Sequence, residues 1–275
     1  MSLEQSYRDI GERSARGARI DDAAPVIANP RSASTALLSR WILAGHGAWL
    51  AEALTASPPL PSSPRGPTAG NAAGQIMKRL LDVAVAGTTL VLLSPLLLAT
   101  ALLVAVSLGR PIIFSHERVG CGGRTFRCYK FRSMVADAEV RLAEVLAKDP
   151  ALAAEWRETQ KLQNDPRVTS LGRILRRTSI DELPQLFNVL KGDMSCVGPR
   201  PVTAEELKRY GDRTNAYLSL RPGLTGLWQV SGRSSLSYQA RVELDAIYAE
   251  RQSVLLDLAT LVRTIPVLCR TQDSA

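Results

Sequence analysis

Residues Ser179 to Pro201 read SIDELPQLFNVLKGDMSCVGPRP, and the rest of the chain is organised around this stretch. An acidic pair, Asp181-Glu182, sits between two basic groups: Arg173, Arg176 and Arg177 come before it, Lys191 and Arg200 after it. A stiff Gly198-Pro199-Arg200-Pro201 turn closes the stretch. Taken alone, Ser179-Ile-Asp-Glu182 also matches a capping box, with Ser179 as N-cap and Glu182 at the third helical position. A helix starting there would place Asp181 at its positive end, where the dipole keeps a carboxylate ionised and backbone N–H groups converge on phosphate.

The surrounding composition narrows the chemistry. The 275 residues hold two histidines, His46 and His116, so carboxylates and arginines must do most of any catalysis. Cys121, Cys128, Cys196 and Cys269 form no C-x-x-C pair, which fits reduced thiols better than disulfides or zinc. Lys+Arg 34 against Asp+Glu 26 gives a net charge of +8, a balance that suits phosphates or anionic lipid. Residues 1–75 carry only 7 of those basic and 6 of those acidic side chains, so the excess belongs to the later part. Basic residues there alternate with acids and no nucleic-acid reading motif appears, so nucleic acid is not an expected partner.

Upstream of the acidic pair lies an apolar run, Val83 to Leu108, introduced by KRLLD (Lys78 to Asp82). A straight helix of that length would reach about 39 Å, enough to span a bilayer. Ser94-Pro95 falls near its middle, however, and proline removes a backbone hydrogen bond and kinks a helix. Each half would then reach only roughly 16–20 Å, short of a hydrocarbon core of about 30 Å. Lys78 and Arg79 before the run and Arg110, Arg118 and Arg124 after it put positive charge on both flanks. A re-entrant hairpin satisfies both facts; a kinked full span stays open.

Residues 1–75 read as a disordered or weakly helical N-terminal segment. Leu37 to Leu54 could form one amphipathic helix, Ser57 to Thr68 is a proline-rich linker, and the start lacks the order of a secretory signal. Beyond Gly109, Ile112 to Arg118 and Arg124 to Arg132 read as strands around a Gly120-Cys121-Gly122-Gly123 turn. Alternation puts Lys130 and Arg132 on one face, available for phosphate, although a solvated edge strand would read the same way. Helices are expected over Ala136 to Lys148, from Pro150 to about Gln163, over Leu171 to Arg177 and over Glu205 to Tyr210. Two more fill Leu236 to Arg270, broken near Ser253, and Arg221 to Gly226 reads as a glycine-rich turn. The fold class is α+β, mainly helical: 1–75 as the N-terminal segment, 76–110 as a re-entrant membrane helix, and 111–275 as a small catalytic domain with a β-hairpin.

Taken in order, KRLLD with Ser94-Pro95, RVGCGGRTFRCYKFRSM, NDPRVTSLGRILRRTSIDELPQLFNVLKGDMSCVGPRP and RPGLTGLWQVSGR resemble the bacterial sugar transferase family. These are monotopic polyprenyl-phosphate phosphoglycosyl transferases that start exopolysaccharide, O-antigen and glycoprotein glycans. The resemblance runs from about Met77 to the C-terminus and is nearest the exopolysaccharide branch, which often moves galactose- or glucose-1-phosphate. His116 is one small departure, standing where glutamine is more usual.

The resemblance implies a nucleoside diphosphate sugar donor, a polyprenyl phosphate acceptor and Mg²⁺. It also implies an inner-membrane location with the catalytic domain cytoplasmic, contact with membrane lipids, and leaves a homodimer open. Carried onto this chain, Asp181 is the nucleophile and Glu182 a metal ligand. Lys130, Arg132, Arg176, Arg200, Gln229 and Arg233 are substrate contacts, and Ser94 and Pro95 are the helix break. Direct displacement with Asp181 only binding metal, and a non-catalytic membrane-anchored scaffold, are the competing readings.

Overall fold

A computed structural model describes residues 72–159, 162, 164–232 and 236–269. The expected Leu37–Leu54 helix and the proline-rich linker lie outside them. The described chain is mainly helical with two small two-stranded sheets.

Two helices open it, α1 (Ala72–Leu92) and α2 (Ser94–Leu108), bent by 63° at the break. Among the described residues no single helix is long and apolar enough to cross a membrane, though the bent pair passes that test together. The break follows from Pro95, which has no N–H to give the carbonyl of Val91 four residues back. Ser94 Oγ donates to that same Val91 carbonyl at 2.8 Å, so the dipeptide both breaks the ladder and satisfies the orphaned acceptor. Val91, Leu92, Leu98, Leu102 and Val106 on the pair's outer surface are exposed, whereas Val104 is buried against Phe131 and Leu175.

The KRLLD residues are not simple flanking charges. Lys78 Nζ donates to Asp257 Oδ2 at 2.7 Å and also to the Tyr248 hydroxyl and the Val197 carbonyl, each at 3.1 Å. Arg79 caps the carbonyls of Val189 and Leu190, and Asp82 Oδ1 accepts from Ser195 Oγ and the Cys196 N–H. The apolar pair is thereby tied to the framework that carries the acidic stretch.

The hairpin forms as the alternation predicts: β1 (Ile113–Val119) pairs antiparallel with β2 (Thr125–Phe131) around a tight turn over Cys121–Gly123. α3 (Ala138–Lys148), α4 (Pro150–Thr159) and α5 (Ser170–Arg177) follow. Next come a 3₁₀ turn (Ile180–Glu182), α6 (Gln185–Lys191), β3 (Ser195–Val197) and α7 (Ala204–Lys208). The chain ends in α8 (Thr214–Leu218), β4 (Gly223–Thr225), α9 (Leu227–Ser231), α10 (Tyr238–Arg251) and α11 (Val254–Cys269).

Two readings are corrected. Arg221 to Gly226 is not only a turn: its Gly223–Thr225 segment is a strand parallel to Ser195–Val197. Nor is Ser179 an N-cap. Its backbone is left-handed at φ 56, its side chain makes no capping bond, and helix α6 starts at Gln185. A complete capping box does occur, but at Thr203 and Glu206.

Candidate active site

Three backbone features assemble the site. Left-handed geometry at a non-glycine residue costs about 1–3 kcal/mol and persists only where its surroundings enforce it. Here it turns the chain at Ser179 and sends Asp181 inward, to 6% exposure. Helix α5 lies hard against the main chain of Ser133, where a Cβ on Gly172 would overlap the Ser133 carbonyl. That approach lets Arg176 Nε donate to Ser133 Oγ at 2.9 Å. Finally, the parallel β3–β4 pair and the residues just beyond it come into close backbone contact at Gly198, Gly223 and Gly226, where added Cβ atoms would strike facing backbone. Their contact brings Arg200 and Gln229 to one cleft.

That cleft is lined by Arg118, Cys128, Lys130, Glu182, Gln185, Arg200 and Gln229, among others. Lys130 Nζ donates to Glu182 Oε1 at 2.6 Å, joining the hairpin to the acidic stretch. Arg118 is paired with Glu206 at 2.9 Å. Gln229 Oε1 is buried with no hydrogen-bond partner.

The electrostatics differ from those of a carboxylate on a helix end. Burial pushes Asp181 up to about 6 from 3.8; Lys130 and Arg176 oppose the rise and the Glu182 charge adds to it. The expectation that a helix dipole keeps Asp181 ionised is corrected: the residue sits in a 3₁₀ turn before α6, and desolvation dominates. Burial likewise lowers Arg176 and raises the Cys128 thiol.

Of the residues singled out from sequence, Lys130, Glu182, Arg200 and Gln229 share the cleft, with Asp181 and Arg176 in electrostatic reach of its floor. Arg132 is 7% exposed and is not among the cleft's lining residues. Arg233 lies outside the described residues. Arg118, Cys128 and Gln185 also line the cleft and were not foreseen. Even-numbered alternation along β2 could have found Cys128 beside Lys130.

Residues 73–271 match the family described as bacterial sugar transferase. The chain belongs to the bacterial sugar transferase family. With the family comes its enzyme class, a phosphoglycosyl transferase. The transferase is 48% identical over 201 residues to an exopolysaccharide production protein, ExoY, of Sinorhizobium fredii, covering 73% of this chain and 89% of that relative. It is 48% identical over 196 residues to an undecaprenyl-phosphate galactose phosphotransferase of Salmonella typhimurium, covering 71% of this chain but 41% of that relative. Against the UDP-glucose:undecaprenyl-phosphate glucose-1-phosphate transferase of Escherichia coli it is 37% identical over 199 residues, 70% of this chain and 40% of the relative.

Proposed function

We propose that this transferase moves a hexose 1-phosphate from a UDP-sugar to a polyprenyl phosphate by way of a mixed anhydride between Asp181 and the sugar phosphate, as the first step of an exopolysaccharide or related glycan. The observation that carries the reading is the burial of Asp181 within electrostatic reach of the cations Lys130 and Arg176. A carboxylate freed of water is a stronger nucleophile, and neighbouring cations lower the repulsion between it and an incoming diphosphate.

In the first step an Asp181 carboxylate oxygen attacks the β-phosphorus. The bond from that phosphorus to the bridging oxygen breaks, and the nucleoside monophosphate leaves with the electron pair. In the second step a phosphate oxygen of the lipid attacks the same phosphorus and Asp181 departs as carboxylate. Arg200 and Lys130 hold phosphate oxygens, and the planar fork of Arg200 gives two hydrogen bonds at once. Gln229 accepts from an N–H or O–H of the donor.

Asp181 and Glu182 are adjacent carboxylates, and among the described residues no third His, Cys, Asp or Glu joins them in a cage. A single carboxylate, that of Glu182, completed by substrate phosphates and water suits Mg²⁺, which seldom takes an all-protein cage, so the residue fits. When bound there through Glu182, the ion would neutralise phosphate charge.

The bent α1–α2 pair is read as re-entrant, with residues 76–110 in the inner membrane and 111–275 on its cytoplasmic face. Initial rates over both substrates test the scheme: parallel double-reciprocal lines support it, and intersecting lines favour direct displacement.

A further inference from the structure

We propose that Arg132 is the seat of the acceptor's phosphate, a phosphomonoester arriving on an isoprenoid chain, separate from the cleft that takes the nucleotide sugar. This rests on the transferase reading above and divides its site in two.

Arg132 is 93% buried by its 7% exposure, yet no carboxylate or other acceptor among the described residues meets its guanidinium. Its Nε is enclosed with no partner at all. The other deeply buried arginine, Arg167, is held by both oxygens of Asp165. An enclosed guanidinium N–H with no acceptor is costly, and proteins keep one chiefly where an anion completes it. A guanidinium fork and a phosphomonoester match in shape and charge.

Position selects the lipid phosphate over the donor's diphosphate. The ladder continues past β2, with Arg132 N donating to the Ile112 carbonyl at 2.9 Å. Phe131 turns into the apolar core with Val104, so alternation sets Arg132 on the face of Lys130, about 7 Å further along the strand. That displacement runs away from the hairpin end where Val119 bridges Val202, two residues after Arg200, and toward Gly109 at the end of the apolar helix pair. A Cβ on Gly109, directly after α2, would lie 3.8 Å from Arg132 Nη2. Beside it, Phe114 at the start of β1 pairs with Lys130, so it shares this face, and at 50% exposure it offers an apolar rim for a hydrocarbon tail. A phosphate tethered to hydrocarbon would approach from this side, with Lys130 and Asp181 next along the face.

The test is direct binding of farnesyl phosphate to the purified full chain in detergent, by calorimetry, with farnesol and inorganic phosphate as separate arms. Wild type should bind farnesyl phosphate at least tenfold more tightly than either fragment. Arg132→Met should weaken it at least tenfold and Arg132→Lys by less, while UDP affinity moves under threefold in both. Because Met removes an enclosed N–H that has no partner, its Tm should hold or rise. The seat is overturned by undiminished farnesyl phosphate binding in Arg132→Met, by equal loss of UDP, by a fall in Tm, or by competition from phosphatidylglycerol, which would mark a phospholipid headgroup site. Arg132-dependent binding in a chain that turns over no UDP-sugar would uphold the seat and count against the transferase scheme instead.

Discussion

Lys130 on β2 and Glu182 in the 3₁₀ turn meet at 2.6 Å across 52 residues of sequence. The pair joins the two segments that supply the cleft's charges, and both side chains keep about a quarter of their surface exposed. Lys130→Met should therefore lower turnover about 100-fold, by removing a phosphate cation next to the nucleophile. Its effect on Tm should be small, since part-exposed ion pairs contribute little to stability. A fall in Tm of many degrees with near-normal turnover would make the pair structural.

Asp181 supplies a pH signature. Its folded pKa of about 6 lies above the ordinary 3.8, so between these values the folded state binds more protons than the unfolded. Stability from this group is therefore full below 3.8 and lost as pH rises through about 6, a loss that Asp181→Asn should abolish. Activity should run the other way, rising through pH 6 as the nucleophile ionises. Release of nucleoside monophosphate from donor alone, followed from pH 5 to 8, checks this; a flat profile speaks against Asp181 as the titrating group.

The close strand contact at Gly223 should tolerate no side chain. Gly223→Ala would drive a Cβ into the backbone of Gly198, at a cost of at least about 2 kcal/mol. Urea unfolding measures it, and a midpoint unchanged from wild type would mean that the contact relaxes freely.

Helix topology can be read chemically. In a chain with Cys121 replaced by serine, Gln75→Cys and Thr125→Cys should both label from the cytoplasmic face only. Adding Pro95→Leu restores the N–H that Val91 lacks and should shift Gln75→Cys toward periplasmic labelling. Periplasmic labelling of Gln75→Cys with Pro95 intact would rule out the re-entrant reading.

Local signals made much of this fold legible. Period-two alternation gave the hairpin, Pro95 gave the break between α1 and α2, and the gap at Ser253 separated the last two helices. What failed was non-local. Ser179 carries a capping pattern, but packing imposes a left-handed turn on it, and burial then sets the Asp181 proton affinity against the dipole. The strand at Gly223–Thr225 exists only because Ser195–Val197 lies beside it, and three residues are too few to show alternation. Lys78 and Arg79 read as flanking charges because their partners lie 110 to 179 residues away. Lys130, Glu182, Arg200 and Gln229 were each visible as residue types suited to phosphate or sugar; their convergence on one cleft required the close glycine contacts between the parallel strands.

The central claim is covalent chemistry at Asp181, and mass spectrometry of the protein incubated with UDP-sugar and no lipid tests it most directly. The account predicts a mass gain of one hexose phosphate that maps to the peptide containing Asp181, chases away on addition of polyprenyl phosphate, and is absent in a folded, inactive Asp181→Asn. Lipid-linked product formed at a near-normal rate by Asp181→Asn would contradict it.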